Sequence, residues 1–115
     1  MHVHFKEINS TSVFLRENSE QFGHGDWVSA DYQSAGHGQV GNSWESEREK
    51  NVLYSLMLRP MEVSPQRGFV LTEIVTLGTL RALKEIAPDV EVKIKWPNDI
   101  YVGDKKLSGI LIESS

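Results

Sequence analysis

Cysteine is missing from the 115 residues. That excludes disulfides, thiolate metal centres and a cysteine nucleophile, and it fits a reducing, cytoplasmic setting. No stretch approaches 18 consecutive apolar residues, so nothing reads as a membrane span. The start, Met1-His2-Val3-His4-Phe5-Lys6-Glu7, lacks the apolar core of a signal peptide. There is no internal repeat and no low-complexity tract. Positive charge is in deficit: 12 Lys+Arg against 16 Asp+Glu leave −4. This argues against general affinity for nucleic acid or anionic membrane, while leaving room for a local cationic site.

The rest of the composition suits one folded domain over residues 1–115. Hydrophobic residues make up 39% and charged residues 24%, neither disordered nor membrane-embedded in character. A chain of this size buries roughly two thirds of its unfolded surface, enough for one core. Two segments read as flexible: Ser34–Asn51, rich in Gly, Ser and charge, and Pro60–Gly68.

The elements follow from periodicity and punctuation. Ser10-Thr11-Ser12 offers N-cap hydroxyls before Val13, Phe14, Leu15 and Phe22, a helix closed by Gly23 or Gly25. Trp27–Gln33 reads as a short strand. Asn51–Leu58 is apolar on both faces, which suggests a central, covered strand. In Gly68–Ile86, Phe69, Val70, Ile74, Leu77, Leu80, Leu83 and Ile86 recur at spacings of three and four, a helix that Pro88 ends. These residues, with Met57 and Met61, read as core, and Trp27 and Trp96 as core anchors. Val90–Trp96 alternates like a strand. Ile100–Val102 and Leu107–Ile112 flank Gly103-Asp104, a two-residue hairpin turn. The order α-β-loop-β-α-β-β-β predicts an α+β fold, a mixed sheet packed against helices.

Two segments carry candidate chemistry. Gly36-His37-Gly38-Gln39-Val40-Gly41 fits G-x-G-x-x-G, but a strand follows it rather than the helix of a dinucleotide fold. It reads either as a surface loop or as a backbone cradle for an anion. Lys93-Ile94-Lys95-Trp96-Pro97-Asn98-Asp99 is the second. Pro97 fixes φ, and Asn98 and Asp99 can bond their own backbone. Lys95, just before that stop, becomes a fixed cation suited to carboxylate or phosphate. By contrast, His2 and His4 read as a polar strand face, since two ligands make no metal site. Glu45, Glu47, Arg48, Glu49 and Lys50 read as a solvated charge run.

Four blocks together resemble the catalytic domain of biotin protein ligases. They are Ser10-Thr11-Ser12; Tyr32-Gln33-Ser34-Ala35-Gly36-His37-Gly38-Gln39-Val40-Gly41-Asn42-Ser43-Trp44; Lys95-Trp96-Pro97-Asn98-Asp99-Ile100-Tyr101-Val102; and Lys106-Leu107-Ser108-Gly109-Ile110-Leu111-Ile112-Glu113. The resemblance implies the family's α+β fold, which is similar to class II aminoacyl-tRNA synthetases. It implies adenylation of biotin with ATP and Mg2+, then transfer to a lysine of a biotin carboxyl carrier domain of a carboxylase. It also implies the roles. Ser10, Thr11, Ser12 and Gln33 would line the biotin pocket, with Gly109 contributing from the last block. Gly36, His37, Gly38 and Gln39 would lie over the carboxylate and α-phosphate. Trp44 would stack on adenine with Asn42 nearby, and Lys95 would sit at the acyl-phosphate centre. No metal-binding side chain is implied, because the ion travels with the phosphates.

The sequence departs from the family pattern in places. His37 stands where an arginine is usual, and a histidine is not a fixed bidentate cation. Weaker retention of the adenylate, or an altered pH profile, is expected. Ser12 stands where Asn is common and reaches less far. Glu49 stands where Gly is common and does not take positive φ cheaply, so a different turn is expected there. The family pattern continues past Glu113, so the domain reads as truncated at its C-terminus, with its last apolar strand open to pairing with a second copy. No helix-turn-helix precedes Met1, so repressor activity is not implied. A non-catalytic biotin-binding remnant and a lipoate-type ligase are the competing readings; Lys-Trp-Pro-Asn-Asp favours biotin.

Overall fold

The computed structural model describes residues 1–38, 43–59, 68–96 and 98–113. The chain forms two compact units that divide near residue 61.

In the first unit, β1 (His2–Phe5) runs parallel to β2 (Trp27–Ala30), and β2 pairs antiparallel with β3 (Leu53–Leu56). Parallel neighbours need a crossover, and α1 (Thr11–Glu17) lies within it. Period-two alternation sorts the faces. Val28 and Ala30 are buried on the inner face, where Leu15, Phe22 and Val28 form a core with Val3, Phe5, Phe14 and Met57 packed against it. His2, His4, Trp27, Tyr54 and Leu56 take the outer face. His2 and Trp27 stack there at 3.5 Å.

Several expectations fail in this unit. β1 is absent from the sequence-based order; only its polar face was anticipated. The first helix ends at Glu17 because Asn18 turns back on it: the Asn18 backbone N–H and side-chain amide both donate to the Phe14 carbonyl. A 3₁₀ turn, Ser19–Gln21, follows, and the Arg59 guanidinium donates to the carbonyls of Ser19 and Phe22. The β2–β3 pairing makes β3 an end strand of its sheet, not a central one. Its apolar run is not covered on both faces, since Val52 is 82% exposed and Leu53 is buried. Nor is Trp27 a core anchor, at 36% exposed.

In the second unit, α2 (Gly68–Ile86) packs on β4 (Lys93–Lys95) and β5 (Asp99–Val102), and β6 (Lys105–Gly109) completes an antiparallel sheet in the order β4-β5-β6. The expected bounds of α2 match. So does the hairpin: Val102 pairs with Lys105 across Gly103-Asp104. Gly103, at φ 59, occupies the first central position, where a type II′ turn requires glycine. β4 is shorter than Val90–Trp96, because Ala87 accepts a turn bond from Val90 N–H.

The buried face of α2 differs from the expected one. Thr76 is 1% exposed, whereas Ile74 and Leu77 are 57% and 53% exposed. Phe69 and Val70 are exposed too. Inside the helix the Thr76 hydroxyl donates to Thr72 carbonyl and Thr79 to Val75 carbonyl. Each threonine is thereby satisfied and can turn its methyl inward. The face of Thr72, Val75, Thr76, Thr79, Leu80 and Leu83 is the more buried one. Trp96 is 70% exposed, its ring tilted against Phe69 at 5.1 Å, so it is no core anchor. Met61 lies outside the described residues.

Candidate functional site

The first unit gathers the expected pocket residues at the start of α1. Ile8 bridges Gln33 in a parallel sense, continuing the β1–β2 direction. Ile8 N–H donates to Tyr32 carbonyl, and Ser34 N–H to Ile8 carbonyl. This lays Gln33 beside the helix start. Ser10 is the N-cap; its hydroxyl accepts from Val13 N–H and meets the Ser12 hydroxyl at 3.0 Å. Thr11 donates twice to Gln33 Oε1, from its backbone N–H and its hydroxyl, each at 2.8 Å. The Thr11 hydroxyl also meets Ser55 Oγ on β3 at 2.8 Å. Ser10 and Thr11 are both 2% exposed. Buried hydroxyls bonded this fully form a rigid polar lining.

The Gly-rich segment folds back on itself. Trp44 N–H donates to Gly36 carbonyl at 2.8 Å, and His37 bridges Ser43. A Cβ on Gly36 would stand 2.6 Å from Trp44 carbonyl and 2.9 Å from Gln33 Nε2. Glycine is required there for close approach, not for a special φ. His37, Gly38 and Trp44 are half-buried. Gln39 and Asn42 lie outside the described residues.

Beyond that loop the charge run is exposed, but its members are engaged. Arg48 pairs with Glu7 and lies 4.1 Å over the Tyr32 ring, and Lys50 pairs with Glu47. Glu49 adopts φ 60. The turn therefore keeps the left-handed geometry, against expectation. Glu49 N–H donates to Asp31 carbonyl, which holds it.

In the second unit Lys95 lies exposed on β4, its Nζ 5.5 Å from the Tyr101 ring. Gly109 pairs with Asp99 at the end of β6. Asn98 Nδ2 donates to Ile110 carbonyl at 2.6 Å, and Lys106 pairs with Asp99 at 2.9 Å. The third and fourth sequence blocks are thus joined in one hairpin.

His2 Nε2 and His4 Nδ1 both reach Ser29 Oγ, at 2.6 and 2.7 Å, and His4 Nε2 reaches Asp31. They form a polar strand face. Among the described residues, no group of three or more His, Cys, Asp or Glu could hold a metal ion, and no helix is long and apolar enough to cross a membrane. Sequence reasoning did not single out Ser55, and took Tyr101 only as part of the Lys95–Val102 block. Ser55 had a signal: it is the polar residue inside the run Leu53-Tyr54-Ser55-Leu56-Met57.

A mixed sheet with a hydroxyl-rich helix start and a glycine-closed loop, followed by a lysine-bearing hairpin, defines an α+β ligase-type catalytic fold. The biotin protein ligase from Aquifex aeolicus in complex with biotin and ATP superposes with a TM-score of 0.87 at 33% identity, covering 99% of this chain and 47% of that one. The Leishmania major ligase in complex with biotinyl-5-AMP gives 0.82 at 29% identity, over 99% and 52%. In sequence, the bifunctional ligase/repressor BirA of Escherichia coli (strain K12) is 35% identical over 106 residues, 92% of this chain and 32% of that protein. Biotin–protein ligase 1, chloroplastic, of Arabidopsis thaliana is 33% identical over 114 residues, 94% of this chain and 30% of that one. The model of the biotin/lipoate A/B protein ligase family matches residues 4–115, and the chain belongs to that family. It spans about a third of the length of these curated relatives.

Proposed function

We propose that this chain takes part in ATP-dependent biotin activation and in passing biotin to a lysine of a carboxyl carrier domain. The observation that carries this reading is the Thr11–Gln33–Ser55 cluster. It is a largely buried, mutually bonded polar cluster, in a fold whose solved relatives were captured with biotin and ATP or with biotinyl-5-AMP.

The chemistry needs no protein nucleophile. A carboxylate oxygen of biotin attacks the α-phosphorus of ATP, and the bond to the bridging oxygen of pyrophosphate breaks. The carrier lysine then attacks the acyl carbon, and AMP leaves. The first step brings two anions together, so placed cations and N–H donors lower its barrier most. Lys95 is the compact cation for the carboxylate and α-phosphate. The loop from Gly36 to Trp44 supplies backbone close to the ligand and shields the mixed anhydride from water, with His37 and Gln39 as its polar side chains. Trp44 and Asn42 are assigned to adenine, and Ser10, Thr11, Ser12, Gln33 and Gly109 to biotin.

A magnesium ion would arrive with the nucleotide and neutralise its phosphates. Residues 1–115 as part of a ligase-type catalytic domain, a cytoplasmic setting, and room for pairing with a second copy complete the proposal.

The test is biotin-dependent exchange of labelled pyrophosphate into ATP. Exchange is expected, and Lys95→Met should lower its rate by about 10²–10³. Biotin binding without exchange would reduce the chain to a binding remnant. Exchange that depends on lipoate would overturn the substrate assignment.

A further inference from the structure

We propose that His2, Ser29, His4 and Asp31 form a one-way chain of hydrogen bonds that clamps β1 to β2 and holds one added proton but not two. Acidification then loosens the end strand that leads into α1. The clamp lies on the outer face of the sheet and is independent of the ligand.

Protons fix the direction of each bond. The Asp31 carboxylate can only accept. The N–H of a neutral His4 therefore lies on Nε2, which reaches Asp31 Oδ1 at 3.1 Å. His4 Nδ1 is then bare and accepts the one proton of Ser29 Oγ at 2.7 Å. The Ser29 oxygen is left to accept, and His2 Nε2 donates to it at 2.6 Å. Both neutral rings are thus Nε2–H tautomers. Trp27 stacks on His2 with the planes 7° apart and holds that ring in place. The chain crosses the pairing of His2 with Trp27 and of His4 with Ser29.

One further proton is accommodated. On His2 it goes to Nδ1, outside the chain, where the face of Trp27 favours the charge. On His4 it goes to Nδ1, and the chain reverses, with Ser29 donating to a bare His2 Nε2. Two protons are not accommodated. Both rings then donate to Ser29, and the hydroxyl proton has no acceptor among the described residues. Ser29 is 8% exposed, and a hydroxyl buried without a partner is costly. The unfolded chain has no such limit and binds the second proton freely, so the clamp weakens as pH falls.

Neighbouring charges do not supply the missing acceptor. Asp26 is held by the Met1 ammonium and Glu7 by Arg48. Tyr54 stands opposite Ser29 on β3, its ring set edgewise to Trp27. Lys6 follows β1 and brings only positive charge. Glu49 approaches through its N–H, which donates to the Asp31 carbonyl. α1 packs on the inner face. The clamp lies just before the Thr11–Gln33 contact on both strands. Beyond it Asp31 N–H donates to Phe5 carbonyl, Ile8 N–H to Tyr32 carbonyl and Ser34 N–H to Ile8 carbonyl. Loosening β1 opens this ladder first.

Nitrogen-15 imidazole spectra at pH 8 should show His2 and His4 both as Nε2–H tautomers; Nδ1–H on either neutral ring overturns the proposal. Amide hydrogen exchange, corrected for intrinsic rates, reads the clamp itself. From pH 7.5 to pH 5 the protection of Ile8, Asp31 and Ser34 should fall about tenfold. Gly25 and Met57, whose N–H bonds tie the start of β2 to the end of β3, should keep theirs within about twofold. His2→Gln keeps a donor for Ser29 and removes one charge, and its fall should be no more than about threefold. His4→Gln removes the other charge and decides in the same way if His2→Gln does not fold. No fall in the parent, an equal fall at Gly25 and Met57, or an undiminished fall in the folded variant overturns the proposal.

Discussion

Glu49 pays a local strain that glycine would not. Left-handed backbone costs a side-chain-bearing residue about 1–2 kcal/mol, and glycine's extra unfolded-state entropy returns about 0.5–1 of that. Glu49→Gly should therefore raise stability by up to about 1.5 kcal/mol, read from urea denaturation. Gly36 behaves in the opposite sense. A methyl there meets the Trp44 carbonyl at 2.6 Å, and Gly36→Ala should cost about 1–3 kcal/mol, as overpacking does. The same substitution should detach Trp44 from the loop base, visible in its fluorescence. Asp26 gives a pH effect. The Met1 ammonium bonds its carboxylate, Gly23 N–H adds to this, and together they outweigh desolvation and hold its pKa below the ordinary 3.8. A depressed folded-state pKa means a contribution that is full above the ordinary value and lost as pH falls through the depressed one. The stability gap between the parent and Asp26→Asn should be steady at neutral pH and close on acidification below that range. The N-cap hydroxyl of Ser10 was legible at this scale, and the grouping of Ser10, Thr11 and Gln33 came from the family resemblance. Ser10, Thr11 and Gln33 were expected together and do converge. Ser55 was not read, because one serine in an apolar run gives no hint of its partner 44 residues away.

Elements were legible where chemistry punctuates the chain. Gly103-Asp104 marked the hairpin, and Pro88 marked the end of α2. The faces were less legible. The apolar spacing set the buried face of α2 about a quarter turn from the observed one, with Leu80 and Leu83 common to both, since the hydroxyls of Thr76 and Thr79 are spent on the helix's own carbonyls. β3 was misjudged for a related reason: an apolar run says that a strand has two greasy faces, not that both are covered. The face assignment has a direct check. Ile100 is 0% exposed beside α2's sheet, and Ile100→Ala should cost about 2–5 kcal/mol. Ile74→Ala, at a site 57% exposed, should cost no more than about 0.5 kcal/mol. Equal losses in thermal or urea melts would return Ile74 to the buried side.

Across the whole molecule the apolar residues outrun the core. The first unit leaves Trp27, Val52, Tyr54 and Leu56 lining an open depression of about 390 Å³ with Gly25. The second leaves Phe69, Val70, Ile74 and Leu77 on the exposed side of one helix. Contiguous apolar surface of this kind attracts hydrophobic dyes. Ile74→Lys combined with Leu77→Lys should lower anilinonaphthalene sulfonate fluorescence without lowering Tm. A fall in Tm would show that those two side chains belong to the core. The sequence could not reveal this surplus, because composition counts apolar residues without saying which of them find partners.

The closure of the Gly36–Trp44 loop has a consequence of another kind. Its base includes the backbone hydrogen bond from Trp44 to Gly36 and the bridge between His37 and Ser43, while the sheet register is set elsewhere, by β1, β2 and β3. Chain-closure entropy changes slowly with loop length. A change of length between positions 37 and 43 should therefore leave the β1–β2–β3 register and the Thr11–Gln33 contact beside it as they are. On the proposed reading, hold on the head of the ligand and retention of the activated product then rest on separate stretches of the chain.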